Sequence, residues 1–148
     1  MWITLTVEDF FDRLTAAEVN TLRTTQVEAG QEDPAAEALR RAINEARGYL
    51  GARPGATMGP DGTIPAQVEG PVMDLARYRL CSRLAVGRVG STLLTEAREQ
   101  EYKDALRLLR DVAAGKYAVE DPETSGDDLG SAGTPHTMDP RPDRHRLP

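Results

Sequence analysis

The sequence of 148 residues has few of the side chains on which catalytic and metal sites depend. Its single cysteine, Cys81, makes no internal disulfide and lies in an apolar stretch, which is typical of a small buried side chain. The two histidines, His136 and His145, both lie in a polar C-terminal segment. This shortage argues against nucleophilic or metal-dependent catalysis, and it predicts that no cofactor or metal is bound.

Motifs of catalysis and nucleotide binding are missing as well. The sequence contains no P-loop, no glycine fingerprint of a dinucleotide fold, no H-E-x-x-H and no C-x-x-C. The carboxylate pair Glu8-Asp9 is assigned to a helix start and the pair Asp127-Asp128 to a solvated tail. The acidic stretch "DPETSGDD" lacks the ligand spacing of an EF-hand. We therefore predict that the protein is not an enzyme.

Long hydrophobic runs are absent too. No stretch approaches the roughly 18 apolar residues that a membrane span needs, and Met1 is followed directly by Trp2 without a leader-like apolar segment. We expect a soluble protein that is made in the cytoplasm and has no membrane partner. At this length, with 39% hydrophobic residues, the chain supports one modest core but not two ordinary domains.

A basic excess is also lacking. Residues 1–119 contain 15 Lys and Arg against 17 Asp and Glu, and residues 120–148 contain 3 against 7. Proteins dedicated to nucleic acids usually carry a basic excess, because phosphate neutralisation supplies much of their affinity. The composition therefore predicts weak, non-specific contact with DNA.

Helix signals are plentiful from the N-terminus onward. Thr6 and Thr15 each precede an acidic residue three positions later, which is the pattern of a capping box. Asp33-Pro34 combines an N-cap carboxylate with the residue best suited to the first helical position, and the Ala-rich helix that follows is predicted to end at Gly51. The stripe of small residues predicts that a neighbouring helix packs closely on it.

Two further long helices are predicted. One covers residues 71–86 and is apolar on most sides, which indicates burial between neighbours. The other lies within residues 98–119, is capped by Ser91 or Thr95, and is amphipathic. The predicted core residues on the three long helices are Leu39, Ile43, Leu75, Leu80, Leu84, Leu106 and Leu109.

The segment between the Ala-rich helix and residue 71 holds five Gly and three Pro within residues 51–70, so we predict a long loop. Thr57-Met58 and Thr63-Ile64 flank the turn-like "GPDGT" and are predicted to pair as a short hairpin. Loops of this length in a small domain are usually functional.

Residues 120–148 include five Pro and no aromatic residue, and such a composition cannot form a core. We divide the chain into a helical domain, residues 1–119, and an acidic, Pro-rich extended tail, residues 120–148. The fold class is all-α, a bundle of four to five helices. The loop 52–70 and the tail are predicted docking segments, with the candidate partner contacts Thr57, Met58, Ile64, Val68, Leu129, Met138 and Leu147.

The order of these features is familiar. The sequence resembles a family of small proteins from Mu-like and related tailed phages and prophages. The resemblance rests, in chain order, on a short "WITLTVEDFFDRL", a helix ending "INEARGYLGAR", a Pro-containing loop, and then "VMDLARYRL" and "REQEYKDALRLLRDVAAGKYAV". The resemblance covers about residues 2–119. It is most specific in "DLARYRL" followed by "EQEYKDALRLLRDVAAGK".

The resemblance implies a structural role at the head-to-tail connector of the virion. Members of the family are associated with small helical adaptor subunits that form a ring, usually twelvefold, beneath the portal. The implied partners are further copies of the chain, the portal protein and a tail-side connector or stopper protein. DNA would pass through the lumen without specific binding, as the acidic balance of the chain allows.

A second hypothesis belongs to another class. The chain could be a small helical DNA-binding or regulatory protein whose arginines contact phosphate. The residues proposed for this role are Arg40, Arg41, Arg77, Arg79 and Arg83. Helical arginines are, however, more often a solvated or partner-facing edge.

Overall fold

A computed structural model describes residues 1–25, 28–86 and 92–123 of the protein. Five α-helices, one 3₁₀ turn and two short strands lie in these ranges. In chain order they are β1 (Trp2–Thr4), α1 (Val7–Phe11), α2 (Ala16–Thr24), α3 (Pro34–Gly51), β2 (Thr63–Pro65), the 3₁₀ turn Ala66–Val68, α4 (Glu69–Ala85) and α5 (Glu96–Ala113). The prediction of an all-α bundle is confirmed.

The predicted starts of α1, α2 and α3 are confirmed by their capping geometry. Thr6 and Thr15 each accept a hydrogen bond from the backbone N–H three residues later, and the acidic side chain at that position accepts one from the cap backbone. The Asp33 carboxylate accepts from the N–H groups of Ala35 and Ala36 at the start of α3. These bonds satisfy N–H groups that have no partner inside the helix.

Helix α4 is the centre of the bundle and packs against both α3 and α5. Its neighbour α3 presents a stripe of fully or nearly buried alanines, so the two backbones can approach closely. The stripe consists of Ala35, Ala38, Ala42 and Ala46. Helices α3 and α5 run in the same direction, since Pro34 and Tyr102 line one groove while Gly115 lies against Pro54.

Most of the predicted core residues are buried. The buried ones are Leu39, Ile43, Leu75, Leu80, Leu84 and Leu109. Leu106 is only partly buried and packs on the edge of the core, so its assignment as a core residue was wrong. The reason is its place on α5, where Ala105, Leu109 and Val112 occupy the face that turns toward α4.

The ends of the two last helices differ from the predictions. Helix α4 begins at Glu69, two residues before Pro71, because a proline in the first turn removes an N–H that has no helical acceptor anyway. It ends at Ala85, and Val86 is 80% exposed rather than part of a buried helix. Helix α5 is capped by Thr95 and stops at Ala113, where Gly115 adopts a φ of 74°.

The predicted hairpin within the loop is wrong. Thr63–Pro65 pairs antiparallel with Trp2–Thr4, and Ile64 lies opposite Ile3. Thr57 and Met58 take no part in this two-stranded sheet. The N-terminal strand offers a longer apolar face than Thr57-Met58 does, and pairing with it places Ile64 in the core, fully buried.

In the described part of the chain, no helix has the length and apolar character required to cross a lipid bilayer.

Candidate functional site

The most buried charge in the described residues is Glu18 in the first turn of α2, which is 2% exposed. Its carboxylate accepts hydrogen bonds from Arg77 on α4, with Oε2 2.9 Å from a terminal nitrogen, and from Nε of Arg98 on α5 at 3.1 Å. It also accepts the backbone N–H of Thr15 at 2.6 Å. One carboxylate therefore joins three helices that are distant in sequence.

These contacts fix the ionisation of Glu18. Burial alone raises the pKa of a carboxyl group, but hydrogen bonds from Arg77, the Thr15 backbone, Cys81 and Arg98 outweigh it and lower the pKa of Glu18 to about 2. The group is therefore charged at neutral pH and serves as a fixed anion. A carboxylate held in this way is a poor general base.

Cys81 belongs to the same cluster. Its Sγ donates to Glu18 Oε1 at 3.2 Å, and its side chain is fully buried. Burial, reinforced by the Glu18 carboxylate, raises the pKa of the Cys81 thiol to about 12. The nucleophilic thiolate is therefore scarce at neutral pH, and the structure agrees with the reading of Cys81 as a packed side chain.

All five arginines of the DNA-binding hypothesis are paired with carboxylates. Arg77 binds Glu18, Arg79 binds Glu45 and Arg83 binds Glu37. Two more pairs lie on or beside α3. They are Arg40 with Glu32 at 3.0 Å and Arg41 with Glu37 at 2.7 Å.

This pairing argues against a phosphate-binding role for the arginines. Arg77 is only 14% exposed and points at Glu18, so phosphate cannot reach it without breaking a buried ion pair. The other four arginines share three carboxylates, since Glu37 pairs with both Arg41 and Arg83, and these offset most of the charge that a phosphate would bind. The arrangement favours intramolecular ion pairing over recognition of a duplex.

The loop after α3 is held by two arginines that point inward. Arg47 donates to the carbonyl oxygens of Pro60 at 2.9 Å and Gly59 at 3.2 Å. Arg53 donates to Leu50 at 3.0 Å, and it also reaches the backbone oxygens of Thr57 and Val119. Both side chains are largely buried, at 15% and 11% exposed. The loop is therefore a fixed part of the body.

The first and last parts of the described chain meet at this loop. The Trp2 indole N–H donates to the backbone oxygen of Glu120 at 3.0 Å, and the Met1 amino group pairs with the Glu120 carboxylate. Asp121 lies 3.6 Å from Arg53. The beginning of the acidic tail is therefore attached to the body at the C-terminal end of α3.

Gly59 makes this meeting point sterically possible. A Cβ atom added there would lie 2.6 Å from Cε3 of the Trp2 ring. We expect Gly59→Ala to lower the free energy of unfolding by about 1–3 kcal/mol, because the ring must shift and loosen its bond to Glu120. Urea denaturation followed by circular dichroism measures the change.

Gly48→Ala is the matched control for this substitution. Gly48 lies inside α3, and a Cβ atom there would meet nothing within 4 Å. The control should be neutral or stabilise by about 0.5–1 kcal/mol, since alanine favours a helix over glycine. Equal effects of the two substitutions would contradict the contact between Gly59 and Trp2.

The candidate partner contacts fall into three groups. Ile64 and Val68 are fully buried, so their assignment to a partner was wrong: β2 and the 3₁₀ turn direct them into the core. Met58 is partly buried against the core and Thr57 is exposed. Three candidates lie outside the described residues, namely Leu129, Met138 and Leu147.

An open groove of about 690 Å³ lies between α3, α4 and α5. Tyr78 and Tyr102 stack in it, with ring centroids 4.2 Å apart and planes at 18°. The other lining residues are Pro34, Glu37, Ala38, Arg41, Arg79, Ser82 and Arg83. Sequence reasoning missed this groove, although it had noted the arginines, because the tyrosines lie on different helices.

Exposed apolar side chains occur at the same end of the bundle. Val86 follows α4 and is 80% exposed, and Leu94 precedes α5 and is 42% exposed. Among the described residues no group of three His, Cys, Asp or Glu side chains could hold a metal ion. His136 and His145 lie outside the described ranges.

A comparison with protein families complements this geometry. The family model described as Bacteriophage Mu, Gp36 matches residues 5–135 of the chain. No curated protein and no solved structure shows significant similarity.

Proposed function

Because the chain belongs to the bacteriophage Mu Gp36 family, we propose that it is a head-to-tail connector adaptor that forms a ring beneath the portal. Membership makes it a phage structural or morphogenesis protein associated with the virion. The connector position, the ring and the partners are the finer proposal. The proposed partners are other copies of the chain, the portal protein and a tail-side connector or stopper protein.

The observation that carries the proposal is the neutralisation of the arginines. A ring through which DNA passes must not hold phosphate tightly, because each phosphate that a protein neutralises adds to binding by counterion release. Glu37 and Glu45 offset two of the three charges of Arg41, Arg79 and Arg83 on this face of the bundle. The body offers a duplex a surface of nearly balanced charge.

The shape of the body also supports a structural role. Each copy in a closed ring contacts its neighbours through two different surfaces. The groove beside α5 and the exposed apolar side chains Val86 and Leu94 are candidates for such surfaces. The core needs no partner to be complete, since the large apolar side chains of α4 are buried within one chain.

Native mass spectrometry of the full chain tests the proposal, with the protein alone and with the portal protein of the same phage. We expect a complex that contains the portal and a closed set of copies of this chain. A chain that stays unassociated with the portal would contradict the connector role.

A second experiment separates the connector from the DNA-binding hypothesis. The parent protein should bind duplex DNA only in the non-specific range, with a Kd of about 10⁻⁴ to 10⁻⁶ M or weaker at physiological salt. The double substitution Glu37→Gln and Glu45→Gln frees three arginines of their carboxylate partners. We expect it to bind duplex more tightly and with a steeper salt dependence. The slope of the logarithm of the binding constant against the logarithm of the salt concentration should steepen by about one unit for each freed arginine that reaches a phosphate.

Glu99→Gln is a single-charge control at a carboxylate that pairs with a lysine instead of an arginine. Glu99 pairs with Lys103 on the exposed face of α5, so its loss leaves the arginine pairs intact. The control should bind DNA nearly as weakly as the parent. Submicromolar, sequence-selective binding by the parent would favour the DNA-binding hypothesis instead.

A further inference from the structure

The groove between α3, α4 and α5 has the chemistry of a peptide-binding site. Its stacked tyrosines, Tyr78 and Tyr102, are both partly exposed, and proline-containing peptides in extended conformation commonly bind along aromatic surfaces of this kind. Three arginines and one glutamate are among the residues around them, and Glu45 offsets the charge of Arg79 from beside the groove, whereas Glu37 alone serves both Arg41 and Arg83. The lining therefore has a net positive charge, in contrast to the chain as a whole, whose formal charge is -6.

The arginines at the rim retain donors for a further carboxylate. The described pairs with Glu37 use one terminal nitrogen of Arg41 and one of Arg83. A guanidinium group carries five N–H donors. The side chains of Arg41 and Arg83 are 63% and 44% exposed, so an acidic peptide can reach them from solvent.

The chain itself contains a segment of the matching chemistry. Residues 120–140 hold six Asp or Glu and no Lys or Arg, and they include three prolines. The first two residues of this segment are attached to the body, through the contacts of Glu120 with Trp2 and of Asp121 with Arg53. The segment therefore starts from a fixed point on the surface.

The distance from that point to the groove fits the spacing of the acids. Arg53 follows the C-terminal end of α3, and Arg41 precedes it by twelve residues, which is about 18 Å along a helix. Asp127 follows Asp121 by six residues, and six extended residues span at most about 20 Å. Asp127 and Asp128 can thus reach the arginine rim of their own chain.

We propose that the groove binds residues 124–140 of the same chain in the free subunit. Asp127 and Asp128 lie against Arg41 and Arg83, and the following Pro135 reaches the tyrosine pair. The tether favours this contact over binding to another copy, since it gives the segment a high effective concentration at the groove. The inference stands independently of the connector role.

Nuclear magnetic resonance of the full-length, ¹⁵N-labelled chain tests this proposal. We compare the parent with Asp127→Lys plus Asp128→Lys, which reverses the charge of the segment without altering any residue of the body. We expect changed amide shifts at Tyr78, Ser82 and Tyr102 that are the same at low and high protein concentration. Arg83→Gln should move the same amides of the tyrosine pair and should also shift the amides of Asp127 and Asp128.

Asp143→Lys is the control, because it changes a charge of the tail beyond the proposed segment. It should leave the groove amides in place. Unchanged groove amides in the Asp127→Lys, Asp128→Lys variant would overturn the proposal. Shifts that appear only at high concentration would overturn it too, since they would assign the groove to another copy of the chain.

Discussion

Replacing Glu18 with alanine should lower the free energy of unfolding by about 3–5 kcal/mol, because it leaves two guanidinium groups without their shared carboxylate. Arg77 and Arg98 are 14% and 17% exposed, so water compensates for the loss only in part. The substitution also removes the capping-box bond to the Thr15 backbone. Small domains have a total stability of about 5–15 kcal/mol, so a large drop in Tm should be visible by circular dichroism.

Glu101→Ala is the matched control for this prediction. Glu101 pairs with Arg98 at 3.3 Å, but its side chain is 40% exposed. Exposed pairs contribute about 0–1 kcal/mol, so this variant should unfold close to the parent. Equal losses in the two variants would contradict the role of Glu18 as the buried link between α2, α4 and α5.

The same carboxylate makes the free energy of unfolding depend on pH in the acid range. Its pKa is lowered in the folded state to about 2 from an ordinary value of 4.5. The stabilisation is therefore fully present above about pH 4.5 and is lost as the pH falls toward 2. Glu18→Gln should make the free energy of unfolding depend less on pH in this range. The same pH dependence in the variant and the parent would show that another group causes the loss of stability in acid.

Leu75→Ala should lower the free energy of unfolding by about 2–5 kcal/mol, because it opens a cavity in the core beside α4, which packs against both α3 and α5. Leu75 is fully buried, as is Leu80 one and a half turns later, and Leu80→Ala should have a similar cost. Thermal or urea denaturation of each single variant measures the effect.

Leu94→Ala provides the comparison at an exposed leucine. Its side chain is 42% exposed and precedes the cap of α5, so truncation removes far less buried area. We expect a Tm close to that of the parent. If Leu75→Ala and Leu80→Ala left the Tm unchanged as well, the central position of α4 would be wrong.

The helices themselves could be predicted because their signals are local. The caps at Thr6, Thr15 and Asp33 depend on atoms within three residues of each other, so the chain specifies them before any tertiary contact forms. The Ala stripe of α3 likewise follows from helical spacing. The ends of α4 and α5 were less well predicted, since a helix end depends on which turn the surrounding structure can accommodate.

The loop after α3 shows where local reasoning fails. Glycines and prolines correctly excluded a long helix after α3, but the predicted loop 52–70 was too long, because β2, the 3₁₀ turn and the start of α4 lie in residues 63–70. Nor could they identify the strand that pairs with Thr63–Pro65. That partner, Trp2–Thr4, lies some sixty residues earlier in the chain. The pairing buries Ile64, which the sequence had placed on a partner-binding surface.

The sequence by itself determined an all-α body, the starts of its first three helices, most of its leucine core and an acidic tail, because each of these follows from periodicity, capping chemistry or composition. Only the tertiary structure decided the partners of the charges. In the sequence Glu18 has only the pattern of a capping residue. The structure shows that it also binds Arg77 and Arg98, which lie 59 and 80 residues later in the chain. In the sequence the arginines have the pattern of a phosphate-binding edge, but in the structure they are paired with carboxylates. Such pairing depends on distances in space, which no local sequence pattern encodes.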